Sequence, residues 1–298
     1  MNKYIFTLFI LFLTLQSEAQ TEYLDSLYAV EKSTHTYLKL GKKDSLQLDF
    51  YKPVGDQKKR PLLLYVHGGG FSGGQRDDEN TIQFSYKMAE KGYAVASISY
   101  QLIMKKIGFG CDTKTKEKIK AFDTAAEDIS EAIKFILKND DIFNVDEEKV
   151  VISGTSAGAE AVLHLAYVHE NIILPRKFKF AGVIGMAGAI ININNVTSET
   201  AIPTQLFHGT NDNLVPYYIA AHHYCSPNDK GYMMLYGSRA IADRLKGLGK
   251  TYYLFSINGG THSWSGIPMS RCIMEVTDFL YNDVLNNAKR QTERTIGL

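Results

Sequence analysis

A serine between two glycines is the strongest chemical signal in the sequence. The segment Gly154-Thr155-Ser156-Ala157-Gly158 follows the apolar run 150–152 and precedes a run with helical character, which predicts a sharp strand-to-helix turn. Glycines permit such a turn because they carry no Cβ atom. Ser156 would then project its hydroxyl clear of the fold, where a neighbouring base could activate it as a nucleophile for acyl transfer.

Consecutive glycines mark a second position of chemical interest. The apolar run 62–66 leads into His67-Gly68-Gly69-Gly70-Phe71. The N–H groups of Gly68, Gly69 and Gly70 could approach a substrate closely and, together with the N–H of Ala157 at the start of the later helix, form an oxyanion hole. We interpret His67 as a hydrogen-bonding residue that shapes this loop and not as a catalytic base.

An acid and a base follow later in the chain. Asp212 comes shortly after the apolar run 205–207, at the carboxyl end of a predicted strand, where sites in open sheets collect. His262 follows the predicted strand 251–256 and the flexible Asn258-Gly259-Gly260. We predict that His262 accepts the proton of the Ser156 hydroxyl and that Asp212 orients the imidazole.

The order of these motifs resembles the esterase/lipase branch of the α/β-hydrolase superfamily that carries an HGGG oxyanion motif. The similarity extends from residue 46 to the C-terminus. The resemblance implies a serine hydrolase with Ser156 as nucleophile, Asp212 as acid and His262 as base, an acyl-serine intermediate, and no metal or organic cofactor. Thr155 departs from the commonest pattern of the branch, and we interpret Glu160, in the following helix, as a solvated or loop-anchoring residue.

The remaining periodicity predicts the scaffold. Continuous apolar runs are typical of strands that are buried on both faces of a parallel sheet, and they occur at residues 62–66, 93–98, 150–152, 180–186 and 205–207. Helical stripes occur at residues 122–137, 157–167, 239–248 and 273–285. Residues 46–51 alternate and predict a half-buried edge hairpin strand. We predict an α/β-hydrolase fold with a mostly parallel central sheet and helices on both faces, in a single domain of residues 20–298.

The first residues predict export. Lys3 precedes the uncharged run 4–15, and the small residues Ser17 and Ala19 follow it, which indicates a signal peptide of residues 1–19. The alternative is an uncleaved anchor, but the apolar run is shorter than the ~20 residues that a bilayer-spanning helix needs. We expect a periplasmic or extracellular protein with no stable membrane insertion after cleavage.

Charge and cysteine content exclude other classes of function. Lys and Arg number 33 against 32 Asp and Glu, and a net charge of +1 gives no long-range field that would attract nucleic acid. Cys111, Cys225 and Cys272 allow three pairings with one thiol left over, or three reduced thiols. Neither the cysteines nor the adjacent His222-His223 show metal-site spacing, so we predict no metal site.

Substrate selection is assigned to three segments. These are residues 100–120 with Phe109-Gly110-Cys111, residues 213–236 with Tyr217, Tyr218, Tyr224 and Tyr232, and the surroundings of Trp264. We predict substrate contacts from Phe71, Tyr217 and Trp264. The aromatic rings could stack on a sugar or a phenolic ring, or they could be ordinary packing residues.

Short acyl esters are the expected substrates. Residues 186–203 are too few for a large helical lid, which argues against a lipase that acts on long chains. We expect a small-molecule or oligosaccharide ester as partner, including acetyl or feruloyl esters on polysaccharides. A serine peptidase of the same fold and a non-catalytic binding homologue are the alternatives.

Overall fold

The structure, a computed structural model, describes residues 21–42, 44–55 and 57–298. The predicted signal peptide, residues 1–19, therefore lies outside the described residues. Within the described part of the chain, none of the helices combines the length and the apolar character needed to cross a bilayer.

A nine-stranded sheet forms the centre of the protein. In the described residues the strands are β1 (Val30–Lys39), β2 (Ser45–Pro53), β3 (Arg60–Val66), β4 (Ala94–Ile98), β5 (Val145–Thr155), β6 (Gly182–Met186), β7 (Ala189–Ile190), β8 (Thr204–Gly209), β9 (Ile219–Ala221), β10 (Met234–Gly237), β11 (Tyr252–Asn258) and β12 (Gln291–Gly297). The large sheet has the order β1-β2-β4-β3-β5-β6-β8-β11-β12, and β7, β10 and β9 form a small antiparallel sheet. Among the described strands of the large sheet, only β2 pairs antiparallel, with β1 and with β4.

Helices cover both faces of this sheet, which confirms the predicted fold class. They are α1 (Glu79–Glu90), α2 (Thr115–Lys138), α3 (Asp140–Phe143), α4 (Ala157–Tyr167), α5 (Ser238–Gly247), α6 (Pro268–Arg271) and α7 (Ile273–Asp278), the last continued by the π-helical Phe279–Leu285. Leu62 and Leu64 of β3 pack in one apolar cluster with α2 and α4. Leu63 of the same strand packs in a second cluster with α1 and α7. Successive side chains of β3 therefore pack against helices on opposite faces of the sheet.

Both edges of the large sheet differ from the prediction. Residues 46–51 do not form an edge strand, because β2 lies between β1 and β4 and most of its side chains are buried. The outer positions belong to β1 and β12, which were not predicted from the sequence. Most residues of β1 and β12 are exposed and polar, so neither strand has the apolar pattern from which strands are predicted in a sequence.

The turn from β5 into α4 brings the helix against the end of β3. A Cβ atom at Gly158 would lie 2.2 Å from the carbonyl oxygen of Val66 and 2.7 Å from that of His67. A Cβ atom at Gly154 would lie 2.4 Å from the backbone of Gly158. The two glycines therefore allow a close approach that places the start of α4 beside the glycine loop after β3.

A disulfide bond joins two of the three cysteines. Cys111 and Cys225 are bonded across 114 residues of chain, and Cys272 is free and buried. The bond attaches the segment before α2 to the short 3₁₀ turn His222–Tyr224. Two surface segments that are distant in sequence are thereby held together.

The close approach at Gly158 predicts a stability effect. Gly158→Ala should lower the free energy of unfolding by about 1–3 kcal/mol, because the new methyl group overlaps the backbone of β3. Gly247→Ala is the matched control, since a Cβ atom at the end of α5 meets nothing within 4 Å. Guanidinium unfolding curves of both variants test this, and equal stability of the two variants would contradict the packing described.

Candidate active site

Ser156 stands at the turn between β5 and α4. Its backbone has φ 51° and ψ −121°, a strained conformation for a residue with a side chain. Its N–H donates to the carbonyl of Met186 over 2.8 Å, which holds the turn against the end of β6. The hydroxyl oxygen lies 2.8 Å from Nε2 of His262. The structure therefore exposes a serine hydroxyl directly beside an imidazole.

His262 is hydrogen-bonded on both sides of its ring. Nδ1 lies 2.8 Å from Oδ2 of Asp212, and a carboxylate can only accept a hydrogen bond, so Nδ1 carries the hydrogen. Nε2 of the neutral ring is then free to accept the proton of the Ser156 hydroxyl. The structure thus brings together the predicted nucleophile, base and acid from the ends of β5, β11 and β8.

The surroundings of Asp212 keep its carboxyl group ionised. Burial alone would raise its pKa, but hydrogen bonds from His208 and His262 hold the pKa well below its usual range. Oδ1 also accepts from the backbone N–H groups of Leu214 and Val215, at 2.9 and 3.0 Å. Asp212 is therefore a buried anion with a fixed orientation, suited to holding one tautomer of His262.

The predicted oxyanion donors lie beside Ser156. Gly68, Gly69, Gly70 and Ala157 line the same pocket as the hydroxyl. Gly69 and Gly70 have φ values of 115° and 60°, which favour glycine, and Ala157 is the first residue of α4, whose N–H has no partner within the helix. These N–H groups are available for a negatively charged oxygen next to the nucleophile.

His67 shapes the glycine loop, as predicted. Its Nδ1 hydrogen-bonds the carbonyl oxygen of Gly68 over 2.8 Å, and its ring stacks on Tyr100 with centroids 4.5 Å apart. Burial lowers the pKa of His67, so the ring is neutral. The side chain supports the loop and is absent from the pocket wall.

One pocket of about 410 Å³ contains Ser156. It is lined by Gly68, Gly69, Gly70, Phe109, Thr155, Ser156, Ala157, Glu160, Leu214, Val215, His222, His223, His262 and Ser265. The volume is typical of a site for a small molecule. The lining combines apolar and polar side chains, and the ring of Phe109 packs against that of His222 with centroids 4.8 Å apart.

The three aromatic residues predicted to contact substrate do not line this pocket. Phe71 is fully buried and packs behind Phe109, with ring centroids 4.9 Å apart. Trp264 is only 9% exposed and belongs to the apolar cluster on the other face of the sheet. Tyr217 donates to or accepts from the hydroxyl of Ser256. The prediction was wrong because proximity in sequence to a site residue does not fix the direction of a side chain.

Glu160 also differs from its interpretation as a solvated or loop-anchoring residue. The side chain is buried and lines the pocket, one helical turn after Ser156 on α4. Burial, aided by the negative charge of Asp212 and opposed by Lys118, raises the pKa of Glu160 to about 8. The carboxyl group is therefore protonated at neutral pH.

The pocket wall includes residues that the sequence analysis did not name individually as substrate contacts. From the predicted segment 213–236, the structure contributes Leu214, Val215, His222 and His223 in place of the tyrosines. The helical spacing of Glu160 from Ser156 was a usable signal. No sequence signal marks His222, because the disulfide to Cys225 and the fold around it bring this turn to the pocket.

Possible metal ligands occur away from the pocket. Among the described residues, two groups bring three ligand atoms within 4.8 Å. In the first, Cys111 and Cys225 with Asp229, the two sulfur atoms are bonded to each other. In the second, Asp123 hydrogen-bonds His164 over 2.8 Å. Neither group lines the Ser156 pocket.

Several proteins share this fold or parts of this sequence. A family model described as BD-FAE matches residues 48–188. A thermophilic esterase of the planctomycete Thermogutta terrifontis, solved with propionate bound, aligns with a TM-score of 0.60 at 20% identity, over 84% of this chain and 93% of its own. A truncated carbohydrate esterase from gut microbiota aligns with a TM-score of 0.61 at 16% identity, over 88% of this chain and 98% of its own.

Sequence relatives match a part of the chain. Gut esterase 1 of Caenorhabditis briggsae is 32% identical over 132 residues, which is 43% of this chain and 22% of the relative. The match spans less than a third of the length of that relative and of the next curated relatives. The comparison over the whole fold therefore rests on the solved structures, which align with most of this chain.

The buried position of Glu160 predicts a pH dependence of stability. Its pKa is about 8 in the folded protein against an ordinary value of 4.5, so its contribution to stability is complete below pH 4.5 and is lost as pH rises to about 8. Glu160→Gln should lack this component. Unfolding free energies of both proteins from pH ~4 to ~9 test this, and parallel pH profiles would contradict it.

Proposed function

The chain has the α/β-hydrolase fold, and from this premise we propose that it is a serine carboxylesterase that hydrolyses short acyl esters. The observation that carries the proposal is the connected arrangement of Ser156, His262 and Asp212, with 2.8 Å at each of the two hydrogen bonds. The match to BD-FAE over residues 48–188 supports the same activity.

The geometry supports a two-step reaction. In the first step, Nε2 of His262 takes the proton of Ser156 while the hydroxyl oxygen attacks the ester carbonyl carbon. The N–H groups of the glycine loop and of Ala157 stabilise the oxyanion. The intermediate collapses, the alcohol leaves with the proton from His262, and the acyl group stays on Ser156. In the second step, His262 activates a water molecule, which releases the acid and restores the serine.

Acetyl or feruloyl esters on polysaccharides are the proposed substrates. The pocket of about 410 Å³ has room for a short acyl group or a single aromatic ring, and Phe109 supplies an apolar wall. Propionate is bound in the Thermogutta esterase, and another structure of the same fold is described as a carbohydrate esterase. These likenesses support a small acyl group and a sugar alcohol.

We also propose that the protein acts outside the cytoplasm. The uncharged run at residues 4–15 supports cleavage of a signal peptide after Ala19. The Cys111–Cys225 disulfide supports an oxidising compartment, since such bonds are rare where thiols are kept reduced. A periplasmic or extracellular location would bring the enzyme into contact with polysaccharide fragments.

A substrate series tests the proposed activity. Hydrolysis of aryl esters should be fastest for acetate to butyrate and should fall toward decanoate, because a small pocket excludes long chains. Acetylated and feruloylated xylan oligosaccharides should release acetate or ferulate. Ser156→Ala serves as the inactive control, and Ser270→Ala, an exposed serine in α6, serves as the matched substitution. Rates that rise steadily to decanoate, with no release from the oligosaccharides, would contradict the proposed substrates.

A further inference from the structure

Three buried polar side chains form a row that ends at the pocket wall. Lys118 of α2 is fully buried, and its Nζ lies 2.9 Å from the carbonyl oxygen of Gly231 and 3.0 Å from Nδ1 of His222. Nε2 on the other side of the His222 ring lies 3.9 Å from Oε1 of Glu160. The triad of Ser156, His262 and Asp212 uses none of these three groups.

The row fixes the tautomer of His222. Burial lowers the pKa of His222 to about 2, with help from the neighbouring His223 and Lys118, so the ring is neutral. Because an ammonium group only donates hydrogen bonds, Nδ1 accepts from Lys118 and the ring hydrogen is on Nε2. His222 therefore presents an N–H toward the carboxyl group of Glu160.

The two facing atoms do not satisfy each other. A separation of 3.9 Å is too long for a hydrogen bond, and neither Oε1 of Glu160 nor Nε2 of His222 has another partner among the described residues. Both side chains are at least 98% buried, and both residues line the Ser156 pocket. Unsatisfied buried polar atoms are rare and costly, so a pair of them at a pocket wall calls for a ligand.

One oxygen atom can satisfy both atoms. Hydrogen bonds of this type are about 2.8 Å long, and 3.9 Å is less than twice that distance, so one oxygen atom can lie within hydrogen-bond distance of both Nε2 and Oε1. Because both atoms are closed to solvent in this conformation, such an oxygen reaches them after a small rotation of the Glu160 side chain. A hydroxyl group can accept from Nε2–H and donate to Oε1 at the same time. An ammonium group lacks the acceptor, and the negative charge of Asp212, which also acts on Glu160, disfavours a carboxylate.

We propose that Glu160 and His222 form a subsite that binds a neutral hydroxyl group of the substrate. The inference rests on the proposed esterase function and specifies its substrate class. The hydroxyl group has two possible sources: the phenol of an aromatic acyl group, or a free hydroxyl next to the ester on a sugar. Lys118 acts through His222 and is a positioning residue.

Two substrate pairs distinguish the sources. Methyl p-coumarate against methyl cinnamate adds one phenolic hydroxyl to the acyl group, and mono-O-acetyl xylose against cyclohexyl acetate adds hydroxyls to the alcohol. The wild-type protein should prefer the hydroxylated member of at least one pair by about tenfold or more in kcat/KM, because the unhydroxylated member leaves both buried atoms unpaired. The pair that shows the preference identifies the source.

Variants locate the preference at the subsite. Glu160→Leu and His222→Phe should each reduce the preference for the hydroxylated ester to near the ratio of the non-enzymatic hydrolysis rates of the two esters. Because the same ester pair is used with every protein, differences in the intrinsic reactivity of the esters cancel in the comparison. Glu160→Gln should retain part of it, because an amide still accepts and donates. Glu127→Leu, at an exposed position of α2, is the matched control and should retain all of it. If Glu160→Leu does not fold, the ester preference is compared between His222→Phe and the wild type.

The outcomes separate this inference from the proposed function. Hydrolysis of the esters without a preference in either pair, or a preference that survives in both Glu160→Leu and His222→Phe, overturns the subsite and leaves the esterase standing. If the wild type hydrolyses none of the four esters, the esterase proposal fails. In that case the subsite is tested by calorimetric measurement of the binding of methyl p-coumarate and methyl cinnamate, and of the two acetates. Tighter binding of a hydroxylated ester supports the subsite, and equal affinities within both pairs overturn the subsite.

Discussion

The close approach of α4 to the end of β3 determines where the reactive groups lie. Because Gly158 has no side chain, the helix starts against the carbonyl groups of Val66 and His67. This contact places Ser156 and the N–H of Ala157 beside the glycine loop that follows β3. The carboxyl ends of β8 and β11 lie along the same edge of the sheet, so the loops that carry Asp212 and His262 can reach the serine. The pocket is therefore a consequence of strand order and of one glycine contact.

Two buried carboxyl groups near this pocket have opposite ionisation. Hydrogen bonds from His208 and His262 keep Asp212 charged, whereas Glu160 receives no such hydrogen bond from the residues that the structure describes and has a pKa of about 8. The two groups also influence each other, since the charge of Asp212 favours the protonated form of Glu160. The environment thus suits Asp212 to orienting an imidazole and Glu160 to hydrogen bonding with a neutral ligand.

The sequence contained enough information for the central part of the fold and for the reactive groups. Apolar runs predicted β3, β4, β5, β6 and β8 because these strands are buried on both faces. The motifs that carry the reactive groups directly follow strands of this sheet, and the carboxyl ends of these strands lie at one edge of the sheet. The edge strands β1 and β12 escaped prediction because their residues are mostly exposed and their pairing depends on the finished sheet. His222 and Lys118 escaped it for a related reason, since contacts across more than 100 residues join them. Phe71, Tyr217 and Trp264 were misassigned because side-chain direction depends on packing.

The central claim is that Ser156 carries the acyl group during turnover. The most direct measurement is peptide mass spectrometry after acid quenching of the wild-type protein during the hydrolysis of p-nitrophenyl acetate. The account predicts the mass of one acetyl group on the peptide that contains Ser156, and its absence from the same peptide in Ser156→Ala. Acetylation found only at another residue, or rapid hydrolysis with no acetylated peptide under conditions where nitrophenol is released in a burst, would contradict it.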